Sequence, residues 1–316
     1  MGSNDSMKKA GKNSKDWDGV SRGSTAGNRI FIFLISVFGL VPAYLLCIPV
    51  SIYYVFFHRE FAAPISEFRR RLGLKTNPWH IFRHFFSFGS RLIDRTGLYS
   101  GRSPGFCESR KLDATIGSAL KSDRGVLILS AHIGNWEAGA HSLLERLGRP
   151  VHIVMLENER AEMSRAFERI YARRKIHTIP VSGDGLPAIM EIINALRRNE
   201  IVCMHGDRLI DQRSEMIPFL GKNAQFPVGP FAVAAITRVQ IFPVVIIKNS
   251  IKSYVPIPGT PITFEKVTRQ NRQQEIHNAM KKYVKFLEKI VHHYPYEWHN
   301  FYHFWHNSEL KNPQAE

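Results

Sequence analysis

The chain has 316 residues, 44% of them hydrophobic, which is ample to bury a core and suits one large domain with an appendage or two modest ones. Forty-three Lys plus Arg against 27 Asp plus Glu give a formal charge of +16, so an anionic partner is expected: nucleic acid, acidic lipid head groups or an acidic carrier protein. Only three cysteines occur, Cys47, Cys107 and Cys203, with no CxxC pair; neither a disulfide framework nor a thiolate zinc site is suggested, and a reducing compartment fits.

Residues 1–28 read as a basic polar tail carrying Lys8, Lys9, Lys12, Lys15 and Arg22. Its opening MGSNDS fits the loose N-myristoylation pattern with Gly2 and Ser6, but reads better as a cloning remnant or a simple disordered tail. Residues 29–60 form a membrane-associated segment. Within it, residues 30–57 contain no Asp, Glu, Lys or Arg, a run longer than the roughly 20 residues that a helix needs to cross a bilayer. Pro42 and Pro49 complicate a simple span, leaving open a single crossing or a re-entrant dip. Basic residues flank both ends, so charge assigns no orientation and instead favours both flanks lying against anionic lipid. A helix buried in a globular core is the alternative. Over residues 61–100, Phe82, Phe85, Phe86 and Leu92 recur at helical spacing, either as a helix packed on the main domain or as one lying on a membrane surface.

After Asp113 short β-branched runs alternate with amphipathic ones. Strands are expected at 125–131, 151–156, 176–181, 200–206 and 239–248, and helices at 135–147, 161–174, 186–198 and 228–237. The fold class is therefore α/β: a mixed, largely parallel sheet flanked by helices, with the hydrophobic helical segment before it. Ligands of such sheets gather beyond the carboxyl ends of the strands.

The strand at 125–131 delivers SAHIGNWEAG, residues 130–139, to that edge. His132 stands there with Glu137 five residues on, in the first turn of the next helix. A carboxylate holding one ring nitrogen leaves the other as a base, the logic of a triad without its serine. The attacking atom then belongs to the substrate. Gly134 leaves room for close approach, and Asn135 caps the helix or donates to an oxyanion. On spacing alone the same pair also reads as structural.

Four ordered blocks resemble a known family. SAHIGNWEAG is similar to the histidine and acid block of the lysophospholipid acyltransferase superfamily, in the form found in its bacterial lipid A biosynthesis acyltransferase branch. CMHGDRLIDQ (203–212) resembles that branch's Asp-Arg block, residues 217–245 its phenylalanine, glycine and proline block, and PYEWHNFYHFW (295–305) the closing motif of related acyltransferases. The resemblance runs over residues 15–306 and makes 61–316 an acyltransferase domain. It implies transfer of a fatty acyl group from a thioester of acyl carrier protein or CoA, as co-substrate rather than cofactor, to a hydroxyl or amine of a membrane lipid or glycolipid. His132 would be the general base and Glu137 its orienting acid, a departure from the superfamily's commoner aspartate. Arg208, Asn135 and backbone amides near Gly221 and Gly229 are the expected oxyanion donors. Asp207 would fix Arg208 or a substrate group, and Phe219, Gly221 and Pro227 would shape a lipid or pantetheine groove. The implied place is a bacterial inner membrane at its cytoplasmic face, against an anionic surface, with no metal and no nucleic acid partner.

Other readings compete. SGDGLPA (182–188) fits a relaxed dinucleotide fingerprint, but reads better as a turn and helix start. His299 and His303, four apart among Trp298, Phe301, Tyr302, Phe304 and Trp305, read as an aromatic patch ahead of a metal cluster. The acceptor could equally be an amino-acid lipid, a polyene or a pigment head group. A non-catalytic, membrane-anchored basic binding protein is the rival class; it requires His132 to be dispensable and binding to be strongly salt-dependent.

Overall fold

The computed structural model describes residues 25–99, 101–102, 104–106, 117, 124–138, 148–156, 176–181, 185–209, 213–251, 253–264 and 267–305. The tail to residue 24, the expected helix at 161–174, most of that at 135–147 and residues 182–184 of SGDGLPA lie outside them.

The uncharged N-terminal run is two helices, α1 (Thr25–Phe38) and α2 (Leu40–Phe57). They break at Gly39, whose φ of 86° lies in the left-handed region that a side chain disfavours. Helix α2 has the length and composition to cross a membrane, and only 22% of it is buried within the protein. Val41, Leu45, Ile52, Phe56 and Phe57 are exposed along it, while Ala43, Tyr44 and Cys47 pack with Ile35 of α1 and with Ile93. The last belongs to α4 (Pro78–Tyr99), which follows α3 (Arg59–Arg71). The interleaved aromatics and arginines of residues 61–100 thus form two helices, and Phe85 and Ile93 of α4 are buried. The reading of a helix packed on the main domain holds for this stretch.

Among the described residues, seven strands form one sheet: β1 (Gly105–Phe106), β2 (Val126–Ser130), β3 (Val151–Leu156), β4 (Ile176–Val181), β5 (Ile201–His205), β8 (Ile241–Ser250) and β9 (Ser253–Pro258). Their order is β1-β9-β8-β2-β5-β3-β4, and only the β8–β9 pairing is antiparallel. Strand β2 is buried at every position because both faces are covered, as parallel sheets require. Leu127 and Leu129 join one core with Ile192 and Leu196 of α5 (Leu186–Arg197), Ala234 of α6 (Gly229–Thr237) and Met280 and Leu287 of α7 (Arg272–His293). Val126 and Ile128 join a second core on the opposite face with Ile153, Phe242 and Tyr254, against which Leu98 of α4 and Trp136 pack. The expected mixed, mostly parallel sheet between helices is the architecture found.

Residues 213–227 hold an antiparallel hairpin, β6 (Ser214–Phe219) and β7 (Lys222–Pro227), outside the main sheet. The turn Leu220–Gly221 has positive φ at both residues, the combination that suits a tight two-residue hairpin.

Candidate active site

Strands β2 and β5 are parallel neighbours, with Ser130 opposite His205. Two residues past each carboxyl end, the same register brings His132 beside Asp207. The His132 Nδ1 lies 2.8 Å from Asp207 Oδ1, and the His132 backbone N–H donates to Oδ2 at 2.9 Å. Asn300 Nδ2 donates to the same carboxylate at 3.0 Å. Asp207 is 1% exposed. Burial by itself would raise its pKa; the His132 imidazole and its hydrogen bond, then His205 and Arg208, outweigh burial and hold the carboxyl well below the usual range. An ionised carboxylate only accepts, so the Nδ1 of His132 carries the proton and Nε2 is the basic nitrogen. Nε2 has no hydrogen-bond partner among the described residues, and the side chain is 17% exposed.

The carboxylate that meets the imidazole is Asp207, where Glu137 had been expected. Glu137 stands in the first helical turn as anticipated, but it is buried and pairs with Arg95 of α4 at 3.5 Å. Five residues of sequence separation place it on the helix face toward α4, whereas a neighbouring parallel strand supplies the group level with the imidazole.

The turn carrying His132 is fixed at every step. Gly206 N–H and the Tyr283 hydroxyl donate to Ser130 O at 2.9 and 2.6 Å, and His299 N–H donates to His132 O at 2.8 Å. Gly134 N–H reaches Glu297 O, and Asn135 N–H reaches Ile246 O, each at 2.8 Å. Gly134 has φ 71°, and a Cβ there would run into the Ile246 carbonyl oxygen. Its smallness serves the close approach of β8 to the turn, where substrate access had been expected.

Asn135 does cap the helix: Oδ1 accepts from Ala138 N–H at 3.1 Å. Its amide hydrogens face the Tyr254 hydroxyl at 3.2 Å and the Arg91 carbonyl at 3.5 Å, so as placed they hold structure instead of facing an oxyanion. Arg208 is likewise a brace: Nε donates to Asn300 Oδ1 at 2.7 Å and Nη2 to His299 O at 2.9 Å. It fastens the closing 295–305 segment over the site while Asp207 holds the imidazole, so Asp207 does not serve chiefly to fix Arg208. Both residues are buried, which sets aside an exposed surface pair.

Phe219 is core: it packs against Phe226, Trp298, Phe304 and Trp305, and its carbonyl accepts from Trp305 Nε1 at 3.1 Å. Trp298 in turn bridges to Ile133, so this cluster supports the His132 turn from below. Gly221 lies in the β6–β7 turn and Gly229 opens α6, with Pro227 at the end of β7. Pro227 pairs with Ser214 across the hairpin. The His299 and His303 stretch is the aromatic packing cluster expected, with His299 itself buried.

His205 was not singled out by the sequence reading. Its ring centroid is 4.3 Å from that of His132 and 5.0 Å from that of Trp136. Burial, with His132 second, holds its pKa well below the usual value, so it stays neutral beside His132. Asn300 was also missed; its place in the closing motif was its only signal.

A second polar cluster lies behind Asn135. Asp94 of α4 accepts from the Tyr44 and Tyr254 hydroxyls and from Lys248 Nζ, the last at 2.6 Å. Tyr44 belongs to α2, so one chain of contacts joins the candidate membrane helix, through Asp94 and Tyr254, to Asn135, the cap residue that follows the His132 turn. Beside it, Arg91 pairs with Glu297, Nε to Oε2 at 2.9 Å.

Residues 111–307 match the family described as bacterial lipid A biosynthesis acyltransferase. Over 144 residues the chain is 26% identical to a phosphatidylinositol mannoside acyltransferase of Mycobacterium tuberculosis (strain CDC 1551 / Oshkosh), covering 43% of this chain and 44% of that protein. Over 127 residues it is 25% identical to the phosphatidylinositol mannoside acyltransferase of Mycolicibacterium smegmatis, covering 40% of this chain and 41% of that one. The chain spans less than half the length of the curated relatives it matches. His132 and Asp207 both fall inside the family match, which takes in more than half of the 316 residues. The chain belongs to the bacterial lipid A biosynthesis acyltransferase family.

Proposed function

We propose that this protein is a membrane-associated acyltransferase that moves a fatty acyl chain from a thioester to a hydroxyl or amine of a lipid or glycolipid. The observation that carries this reading is the His132–Asp207 pair at 2.8 Å, with Nε2 turned away from the carboxylate. Nε2 takes the acceptor's proton as its oxygen or nitrogen attacks the thioester carbonyl. The tetrahedral intermediate collapses with cleavage of the carbon–sulfur bond, and the imidazolium returns the proton to the leaving thiolate. Asp207 stabilises the imidazolium and holds the productive tautomer throughout.

The donor is acyl carrier protein or CoA, which present the same pantetheine thioester; the formal charge of +16 favours the acidic carrier and an anionic membrane surface together. The relatives named for phosphatidylinositol mannoside favour a hydroxyl of a phosphoglycolipid as acceptor. Helix α2 and its exposed apolar face support membrane attachment, placed by this reading at the cytoplasmic face of an inner membrane. The test compares total lipids by mass spectrometry from cells lacking the protein, restored with it, and restored with His132→Ala. A species heavier by one acyl chain, restored only with the intact histidine, is expected and names the acceptor. Equal restoration by both forms would refute the mechanism and favour the binding-protein class.

A further inference from the structure

A cavity of about 770 Å³ lies between α2, α4, the β8–β9 turn and the end of α7. None of His132, Asp207 or His205 lines it. Its walls are basic: Arg83 and Arg91 from α4, Lys248 from β8 and His293 from α7, with the hydroxyls of Tyr44 and Ser87 among them. Two of these cations are already matched, Arg91 by Glu297 and Lys248 by Asp94. Arg83 is different. It is exposed, its guanidinium lies 3.8 Å above the Tyr296 ring, and it faces no carboxylate among the described residues. Through Arg83 the cavity therefore has surplus positive charge to hold a monoanion.

Its position narrows the anion further. Tyr44, one of the wall residues, belongs to α2, whose outward face is apolar and exposed. On the rim, Ile251 at the tip of the β8–β9 turn is 62% exposed, and Tyr294 is exposed as well. An apolar and aromatic rim around a basic hollow, beside a helix able to enter a bilayer, is the arrangement that holds a charged head at the interface while tails lie along the helix.

We infer that this cavity binds the phosphate head group of an anionic membrane phospholipid, with Arg83 as the principal contact and the acyl chains against α2. The bound lipid is not the one acylated. The inference rests on the membrane association of α2 and is independent of acyl transfer at His132. Through the Tyr44–Asp94–Tyr254 contacts, an occupied cavity would hold α2 and the catalytic turn in one arrangement.

The full chain, delipidated in detergent, is titrated with phosphatidylglycerol or phosphatidylcholine, and retained lipid is counted by native mass spectrometry; inorganic phosphate is titrated separately. Intact protein should retain phosphatidylglycerol over phosphatidylcholine. Arg83→Glu should lose that retention roughly tenfold, the loss of about 1.4 kcal/mol of binding. Arg83→Lys should keep most of it, and Arg70→Glu, an exposed charge reversal on α3, should change it by less than about twofold, as for a diffuse surface charge. His132→Ala should retain lipid normally, so failure of acyl transfer and failure of lipid binding are read separately. Undiminished binding by Arg83→Glu, an equal loss in Arg70→Glu, or inorganic phosphate binding as tightly as the lipid would each overturn the inference.

Discussion

Replacing Asp207 by Asn tests the central geometry most directly. The carboxylate receives three donors: the His132 ring N–H at 2.8 Å, the His132 backbone N–H at 2.9 Å and the Asn300 amide at 3.0 Å. Asn keeps the shape but offers one oxygen and a donating NH2, so at least one of the three donors must meet another donor. An amide also stabilises an imidazolium poorly and can select the opposite tautomer, with the proton on Nε2, where it blocks the base. General-base assistance is worth about 10²–10⁴ in rate, so kcat should fall within that range while the KM for the thioester changes little. Stability should respond as well, since a buried hydrogen bond to a charged group contributes about 1.5–3 kcal/mol. The folded pKa of Asp207 lies below its unfolded value. Its stabilisation is therefore complete above the unfolded value of about 4 and is lost as pH falls through the folded one. Melting temperatures of intact protein and Asp207→Asn should differ most near neutrality and converge in acid. A variant with kcat within threefold of the intact enzyme would refute the role assigned to Asp207, and a melting difference that does not shrink in acid would refute the electrostatic account.

His132→Ala should lower kcat by about 10²–10⁴ and also lower the melting temperature, because the buried Asp207 carboxylate loses its ring N–H donor, a hydrogen bond worth about 1.5–3 kcal/mol; acyl transfer to the acceptor lipid and calorimetry check the two halves. Glu137→Gln should lower kcat less than Asp207→Asn, since its partner is Arg95; equal losses in parallel kinetics would return Glu137 to the role of orienting acid. Gly134→Ala should cost about 3 kcal/mol or more, combining an unfavourable φ with collision against the Ile246 carbonyl, as urea denaturation would show. Leu45→Arg, on the exposed face of α2, should shift the protein from the membrane pellet, since a charge at mid-helix costs about 2.5–3.5 kcal/mol in the bilayer; unchanged fractionation would argue against α2 as the anchor.

Local chemistry made much of this protein legible in sequence. The run at 151–156 coincides with β3 because a continuous apolar, β-branched stretch suits a strand buried on both faces, and that at 176–181 coincides with β4, a half-buried strand at the sheet edge. The helix expected over 186–198 ends one residue earlier, and α6 starts one residue later than expected. The uncharged N-terminal run announced itself by length, although the break at Gly39 did not, since a glycine inside an apolar helix is common and only its φ reveals the bend. The β6–β7 hairpin, β9 and the long helix α7 were missed: the hairpin's Pro218 and Pro227 obscure a strand pattern, and the lysines of α7 hide a buried stripe of Ile276, Met280, Tyr283 and Leu287.

At the site, the sequence by itself singled out His132 as the candidate base, because the histidine past a buried strand stands among the ordered blocks that mark the family. What holds that histidine was decided by tertiary structure alone. Glu137 is five residues away in the chain and turns toward Arg95, while Asp207 is 75 residues away and comes level with the imidazole because β2 and β5 pair in parallel with Ser130 opposite His205. Proximity along a chain constrains a side chain only as far as the local backbone aims it. Strand register, set by the packing of both faces of the sheet, aligns residues of unrelated sequence position to within a hydrogen bond.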